Sequence, residues 1–335
     1  MKAIYLTTGG KEAIHKAYDA KTRTKLQTHF GDKPLLITDP TELAALAPEL
    51  TDCEYIFSTW GMPPLDEAQI KKYLPALRAL FYAAGSVQGF ARPFIKSNVR
   101  IFSAWAANAV PVAEYTVAQI ILAGKGFFQT SRLYKDGDFA AARAYADTMT
   151  GNYATSVGII GAGAVGSLVA ALLLPYAHDI LVFDPFLSDE DIKKLGATKA
   201  TLPELFQKCH IISNHLADNQ QTKKMLNYQL FSRMKKNAAF INTGRGGQID
   251  DDGLIQALKE EPTRLALLDV SEPEPLPPQH PYFTMDNVIL SPHIAGSMGN
   301  EIARMGHFMY EEFIAFEKGG PTRYEVTNDM LSTMA

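Results

Sequence analysis

Residues 157–184 constrain this chain more than any other stretch. Val157-Gly158-Ile159-Ile160 is a short apolar run of the kind that forms a buried strand, and Gly161-Ala162-Gly163-Ala164-Val165-Gly166 follows without a gap. Val165, Leu168, Val169 and Leu172 keep the spacing of one helix face, which predicts a helix ending near Pro175. A second apolar run, Ile180-Leu181-Val182-Phe183, finishes on Asp184, 18 residues beyond Gly166. Strand, glycine turn, helix, strand and acid in that order predict a βαβ unit with a dinucleotide at its turn.

The residue types fit that task. Gly161 permits a tight turn, Gly163 brings no Cβ against a pyrophosphate, and Gly166 lets the helix lie close on the strand. Ala164 and Val165 open the helix, whose unpaired N–H groups and partial positive charge face the phosphates. Asp184 can accept hydrogen bonds from both ribose hydroxyls. The alternative is a βαβ unit that binds nothing.

At 335 residues the chain is long enough for two domains, each with its own core. A net charge of −4 without a long basic run argues against nucleic acid as the main partner. Cys53 and Cys209 lie far apart with no CxxC spacing, as in reduced thiols of a cytoplasmic protein. The first residues read as a strand rather than a signal peptide, and no apolar run approaches the ~20 residues of a membrane span. The eight histidines form neither HExxH nor a Cys/His cluster, so no metal is expected.

Before the glycine turn, strands are expected at 2–6, 34–37, 55–58, 79–82 and 98–102. Helices are expected at 11–27, 41–47, 66–74 and 90–95, an alternation that predicts a first parallel α/β domain. Residues 110–124 read as a long buried helix leading to the second domain, and 135–152 as a surface excursion. After Asp184 the rhythm resumes, with strands at 210–214, 238–242, 265–268 and 287–290 and helices at 202–208, 221–233 and 251–260. A final helix over 296–317 suits a return to the first domain. The second domain is then inserted into the first.

In open α/β sheets ligands lie beyond the carboxyl ends of the strands. There the sequence places Asn242-Thr243-Gly244-Arg245-Gly246-Gly247, then Asp269 with Glu272 and Glu274 in a proline-rich loop, then Ser291-Pro292-His293. Singly, each is ordinary: a solvated arginine, surface carboxylates, a structural histidine. Together they match hydride transfer to a carbonyl. A histidine can protonate the forming alkoxide, a carboxylate beside such a histidine favours its charged form, and an arginine holds a carboxylate with two hydrogen bonds.

These motifs, with His215-Leu216-Ala217, Leu268-Asp269-Val270, Glu274-Pro275-Leu276 and Ser291-Pro292-His293-Ile294-Ala295-Gly296, resemble the D-isomer-specific 2-hydroxyacid dehydrogenase family. The resemblance covers most of residues 80–310 and is weakest over the first 75. It implies an α/β fold of two parallel-sheet domains, a Rossmann NAD-binding domain (107–295) inserted into a flavodoxin-like substrate domain (1–106 and 296–335). It also implies Arg245, Glu274 and His293 as catalytic residues, with His293 the proton donor, Glu274 its partner and Arg245 on the substrate carboxylate. The implied NAD contacts are Gly161, Gly163, Ala164, Val165, Gly166, Asp184, His215, Leu216, Ala217, Thr243, Gly244, Arg245, Asp269, His293 and Gly296. Substrate is expected at Gly85, Ser86, Val87 and Arg245, in a cleft between the domains. A homodimer acting on a small 2-oxo or 2-hydroxy acid, away from membranes, completes the picture.

The chain departs from the family pattern at Ser86, Gln88, Ala164 and Ala217. Loops 58–63, 83–89 and 103–107 carry no cation, which favours an unphosphorylated substrate. Trp60 and Trp105 are candidates to face it, the alternative being plain core. Arg92 and Lys96 are expected to point to solvent. The competing functions are a formate- or phosphite-type dehydrogenase on the same scaffold, and an NAD(H)-sensing regulator.

Overall fold

Two parallel sheets organise the computed structural model, which describes residues 2–332. The chain divides into two units: residues up to Asn108 together with those from Ser297 onward, and Ala109–Gly296.

The first unit holds β1 (Ala3–Leu6), β2 (Leu35–Ile37), β3 (Tyr55–Ser58), β4 (Ala79–Tyr82) and β5 (Arg100–Ser103) in the parallel order β5-β4-β3-β1-β2. The short strand Glu325–Val326 closes it antiparallel on β5. Both faces are covered, so the strands are apolar on both sides. In β3, Ile56 enters one core while Tyr55 and Phe57 enter the other. Phe57, Phe81 and Phe102 stack across β3, β4 and β5 with ring centroids 5.4 and 4.9 Å apart, and Phe313 meets Phe57 and Phe81 edge-on. That contact seats the helix Glu301–Glu317. Gly306 allows the close approach: a Cβ there would lie 1.9 Å from the carbonyl oxygen of Ala17.

The second unit holds β6 (Ser156–Ile160), β7 (Asp179–Phe183), β8 (Thr198–Lys199), β9 (Ile211–Asn214), β10 (Ala239–Asn242), β11 (Leu265–Leu268) and β12 (Val288–Leu290). Their order, β12-β11-β10-β9-β6-β7-β8, reverses direction between β6 and β9. This is the doubly wound arrangement, in which ligands lie outside the carboxyl ends at the reversal.

Several sequence expectations need correction. The helix expected at 11–27 is two, Gly10–Ala17 and Ala20–Phe30, because the Tyr18 hydroxyl is drawn into the core to donate to Ser58 and Phe81 carbonyls. Asp19 then caps the second helix by accepting from Thr22 N–H at 2.8 Å. Within 221–233 only Tyr228–Phe231 is helical, since Leu226 bridges to Ile249 in extended conformation. The excursion 135–152 contains a helix, Phe139–Ala146, capped by Asp138. The final helix begins at Glu301, after a loop. One helix, Trp105–Gly124, is 20 residues long with mean hydropathy 1.2, so an apolar run of membrane-spanning length does exist. Its Ala113, Val117, Ile120 and Ala123 are packed into the core, which accounts for that composition.

Candidate active site

The glycine turn sits at the carboxyl end of β6, at the sheet's reversal point. Gly161 has φ +85°, and a Cβ on it would come 2.9 Å from the carbonyl oxygen of His215. Gly166 passes so close that a Cβ would fall 2.0 Å from the Gly161 carbonyl. A Cβ on Gly163, by contrast, would meet open space. The helix Ala164–Leu173 therefore presents its first N–H groups to an open cradle, as a pyrophosphate requires. The residues present fit NAD.

Asp184, nearly buried, is more heavily engaged than the sequence suggests. Its Oδ2 accepts from Ala162 N–H at 2.9 Å, and its Oδ1 accepts from Phe186 and Leu187 N–H at 2.9 and 3.2 Å. Three of about four acceptor positions are taken, so the carboxylate also clamps the turn to β7. Lys199 donates to the Leu187 carbonyl at 2.7 Å because β8 pairs with β7.

His215 follows β9. Burial pushes its pKa down to about 3, so the ring is neutral and no proton donor. Its Nε2 lies 2.9 Å from Ser213 Oγ, and its Nδ1 is buried without a partner among the described residues. The turn beyond it is tied to the Arg245 turn by amides that sequence reasoning overlooked. Asn214 Nδ2 donates to Asn242 Oδ1 (3.0 Å) and Gln248 Oε1 (2.5 Å), and Gln248 Nε2 donates to the Leu216 carbonyl (2.7 Å). Asn242 in turn accepts from Gly244 N–H and donates to the Arg245 carbonyl. Ala217 accepts from Thr222 Oγ1 at 2.7 Å. Thr243 pairs with Thr116 at 3.0 Å, both buried. The only signal for this network was a pair of asparagines ending adjacent buried strands. Arg245, so positioned, donates Nη1–H to the Gly244 carbonyl and pairs with no carboxylate among the described residues.

Asp269, ending β11, holds the His293 loop. Its Oδ1 accepts from Ser291 Oγ (2.6 Å) and Ile294 N–H (2.9 Å), its Oδ2 from Ala295 N–H (2.9 Å), and its carbonyl from His293 N–H (2.9 Å). Tyr115 donates to Ser291 Oγ at 2.9 Å and extends the clamp to the long helix. Gly296 ends this unit. His293 itself has φ +55°, a left-handed conformation that non-glycine residues adopt at a cost and that the Asp269 clamp enforces. Its Nδ1 is 2.8 Å from Glu274 Oε1, which leaves Nε2 directed elsewhere. Glu272 is not in this pair. It lines a separate cavity of about 270 Å³ with Lys223, Lys224, Asp251, Asp252 and His280.

In the first unit, Gly85, Ser86 and Val87 follow β4 at the corresponding carboxyl edge. Their N–H groups find no acceptor among the described residues. Gln88 donates to the Leu331 carbonyl (2.9 Å) and accepts from Arg92, which also reaches Leu331. Arg92 and Lys96 are both exposed, as expected, the first bonded to Gln88 and the Leu331 carbonyl and the second in a surface contact with Glu67 at 3.5 Å. Trp60 is 43% exposed after β3, whereas Trp105 packs edge-on against Tyr324.

A dinucleotide cradle, an unpaired arginine and a carboxylate–histidine pair along one sheet edge define a nicotinamide-dependent dehydrogenase. Residues 117–295 match the NAD-binding domain model of the D-isomer specific 2-hydroxyacid dehydrogenases. The chain belongs to that family, and so is an NAD-dependent oxidoreductase of 2-hydroxy acids. It is 27% identical over 299 residues to a glyoxylate reductase of Korarchaeum cryptofilum, covering 88% of this chain and 89% of that one. It is 31% identical over 226 residues to a D-3-phosphoglycerate dehydrogenase of Bacillus subtilis, but spans only 42% of that protein against 68% of itself. A crystal structure of a phosphoglycerate oxidoreductase from Rhizobium etli shares the fold, with TM-score 0.81 at 22% identity over 99% of both chains.

Proposed function

We propose that this protein reduces an unphosphorylated 2-oxo acid to the D-2-hydroxy acid, with His293 as proton donor. The observation that carries the reading is the His293–Glu274 contact at 2.8 Å, which commits Nδ1 to the carboxylate and leaves Nε2 for the substrate oxygen. NADH, when bound, supplies the hydride to the carbonyl carbon. His293 delivers a proton to the oxygen as the new C–H bond forms, and Glu274 stabilises the imidazolium before transfer. Arg245, free of carboxylate partners among the described residues, takes the substrate carboxylate with two hydrogen bonds. The N–H groups of 85–87, without acceptors among the described residues, are assigned to substrate carboxylate on the first unit's side. Asp269 holds the donor loop, and Asp184 accepts a ribose hydroxyl with its remaining lone pair.

Relatives carry names of phosphorylated and unphosphorylated substrates alike, so the choice rests on this chain's own edge residues. A phosphate calls for cations beyond Arg245. Loops 58–63, 83–89 and 103–107 contain none, Arg92 is bonded to Gln88 and the Leu331 carbonyl, Lys96 lies exposed on its helix beside Glu67, and an indole is exposed at Trp60. We place the enzyme in the cytoplasm as a homodimer. Free, buried Cys53 and Cys209 support the first, and exposed Leu122, Phe127, Tyr134, Phe139, Leu174 and Tyr176 on the NAD-binding unit support the second. NADH consumption with a 2-oxo acid tests the activity. NADH binding without turnover on any 2-oxo acid would instead favour a sensing role.

A further inference from the structure

We infer that Ser103 is a positioning residue for substrate, acting through the peptide planes of the loop after β4. This rests on the assignment of Gly85–Val87 to the substrate carboxylate. Ser103 ends β5 and is fully buried. Its hydroxyl lies 2.9 Å from the carbonyl oxygen of Ala84 and 2.6 Å from that of Gly85, one hydrogen shared between two acceptors. From the other side of β4, at the end of β3, Thr59 Oγ1 donates to the Ala83 carbonyl at 2.9 Å. Three successive carbonyls are therefore pinned from strand ends inside the unit.

In a planar trans peptide the C=O and N–H point in opposite directions. Holding the Ala84 and Gly85 carbonyls inward turns the N–H groups of Gly85 and Ser86 outward, away from Ser103. Those N–H groups, with that of Val87, have no internal acceptor among the described residues. Successive unpaired N–H groups make an anion-binding concavity without any cationic side chain. That suits a carboxylate in a loop whose neighbours are uncharged. The loop's exit is held separately, by Gln88 and Arg92 on the Leu331 carbonyl. Ser103 sets the direction of the donors and never touches the substrate.

The test combines amide hydrogen exchange with kinetics. Wild-type enzyme with NADH and oxamate, an unreactive 2-oxo acid analogue, is expected to protect the amides of residues 85–87 from exchange. Ser103→Ala should lose most of that protection. It should raise KM for the 2-oxo acid by about 3- to 10-fold, the scale of one net hydrogen bond, while KM for NADH stays within about 2-fold. Ser103→Thr, which keeps a hydroxyl, should restore both readouts. Protection retained in Ser103→Ala, with KM unchanged, overturns the role of Ser103 and leaves the carboxylate assignment standing. Absence of protection in the wild-type enzyme overturns the assignment itself. Equal losses for NADH and the 2-oxo acid that Ser103→Thr does not rescue would make Ser103 a folding residue only, which also overturns the inference.

Discussion

His293 Nδ1 and Glu274 Oε1 lie 2.8 Å apart across 19 residues of chain, one from the loop after β12 and the other from the proline-rich loop after β11. Glutamine at 274 keeps an acceptor there but removes its charge. Glu274→Gln should therefore lower kcat for reduction, because the protonated ring loses its anionic partner. His293→Ala should lower kcat by roughly 10²–10⁴-fold. Glu272→Gln should change little, because Glu272 lines a different cavity. A pH–rate series on the three variants checks this. A larger effect at Glu272 would reassign the carboxylate.

Cofactor choice follows from Asp184. A 2′-phosphate would meet a carboxylate with one acceptor position left and no donor to offer, and Lys199 is held by Leu187 and Asp189. NADH should be preferred over NADPH by at least ~10-fold in kcat/KM, the scale of one unpaired polar group. Equal kcat/KM with the two would contradict the assignment.

His215 predicts an acid-sensitive stability. Its pKa falls from the usual 6.5 to about 3 in the folded protein, because burial disfavours the charged ring. The unfolded chain binds the extra proton first. The contribution is thus complete above ~6.5 and is lost progressively as pH drops toward 3. Between pH 7 and 5 the loss is about 2 kcal/mol, on the order of 1.4 kcal/mol per pH unit. Denaturant unfolding of His215→Asn should show a correspondingly smaller fall over that range. Half-buried His178 and His210, also depressed by burial, remain in both proteins. Identical pH slopes would refute the assignment to His215.

What could be read from the sequence was whatever depends on local pattern. The run Val157–Asp184 specifies its own strand, turn, helix and strand, because apolar period, glycine placement and strand-end acid are all local. The break at Tyr18–Asp19 was hidden because its cause is a core hydroxyl reaching Ser58 and Phe81. The same holds for the site. His293, Glu274 and Arg245 stood out by residue type at strand ends. Ser103, Gln248, Asn214 and Tyr115 did not, since a buried hydroxyl or amide declares its role only through partners far along the chain. Asp269 was legible as important, yet its work on the 291–295 loop emerges only from four converging hydrogen bonds.

The central claim is the reduction of an unphosphorylated 2-oxo acid by NADH. Its most direct test is kcat/KM across glyoxylate, pyruvate, hydroxypyruvate, branched-chain and aromatic 2-oxo acids, and phosphohydroxypyruvate. The uncharged loops at 58–63, 83–89 and 103–107 predict that at least one unphosphorylated acid is turned over and that phosphohydroxypyruvate ranks below it. Phosphohydroxypyruvate giving the highest kcat/KM would contradict that account.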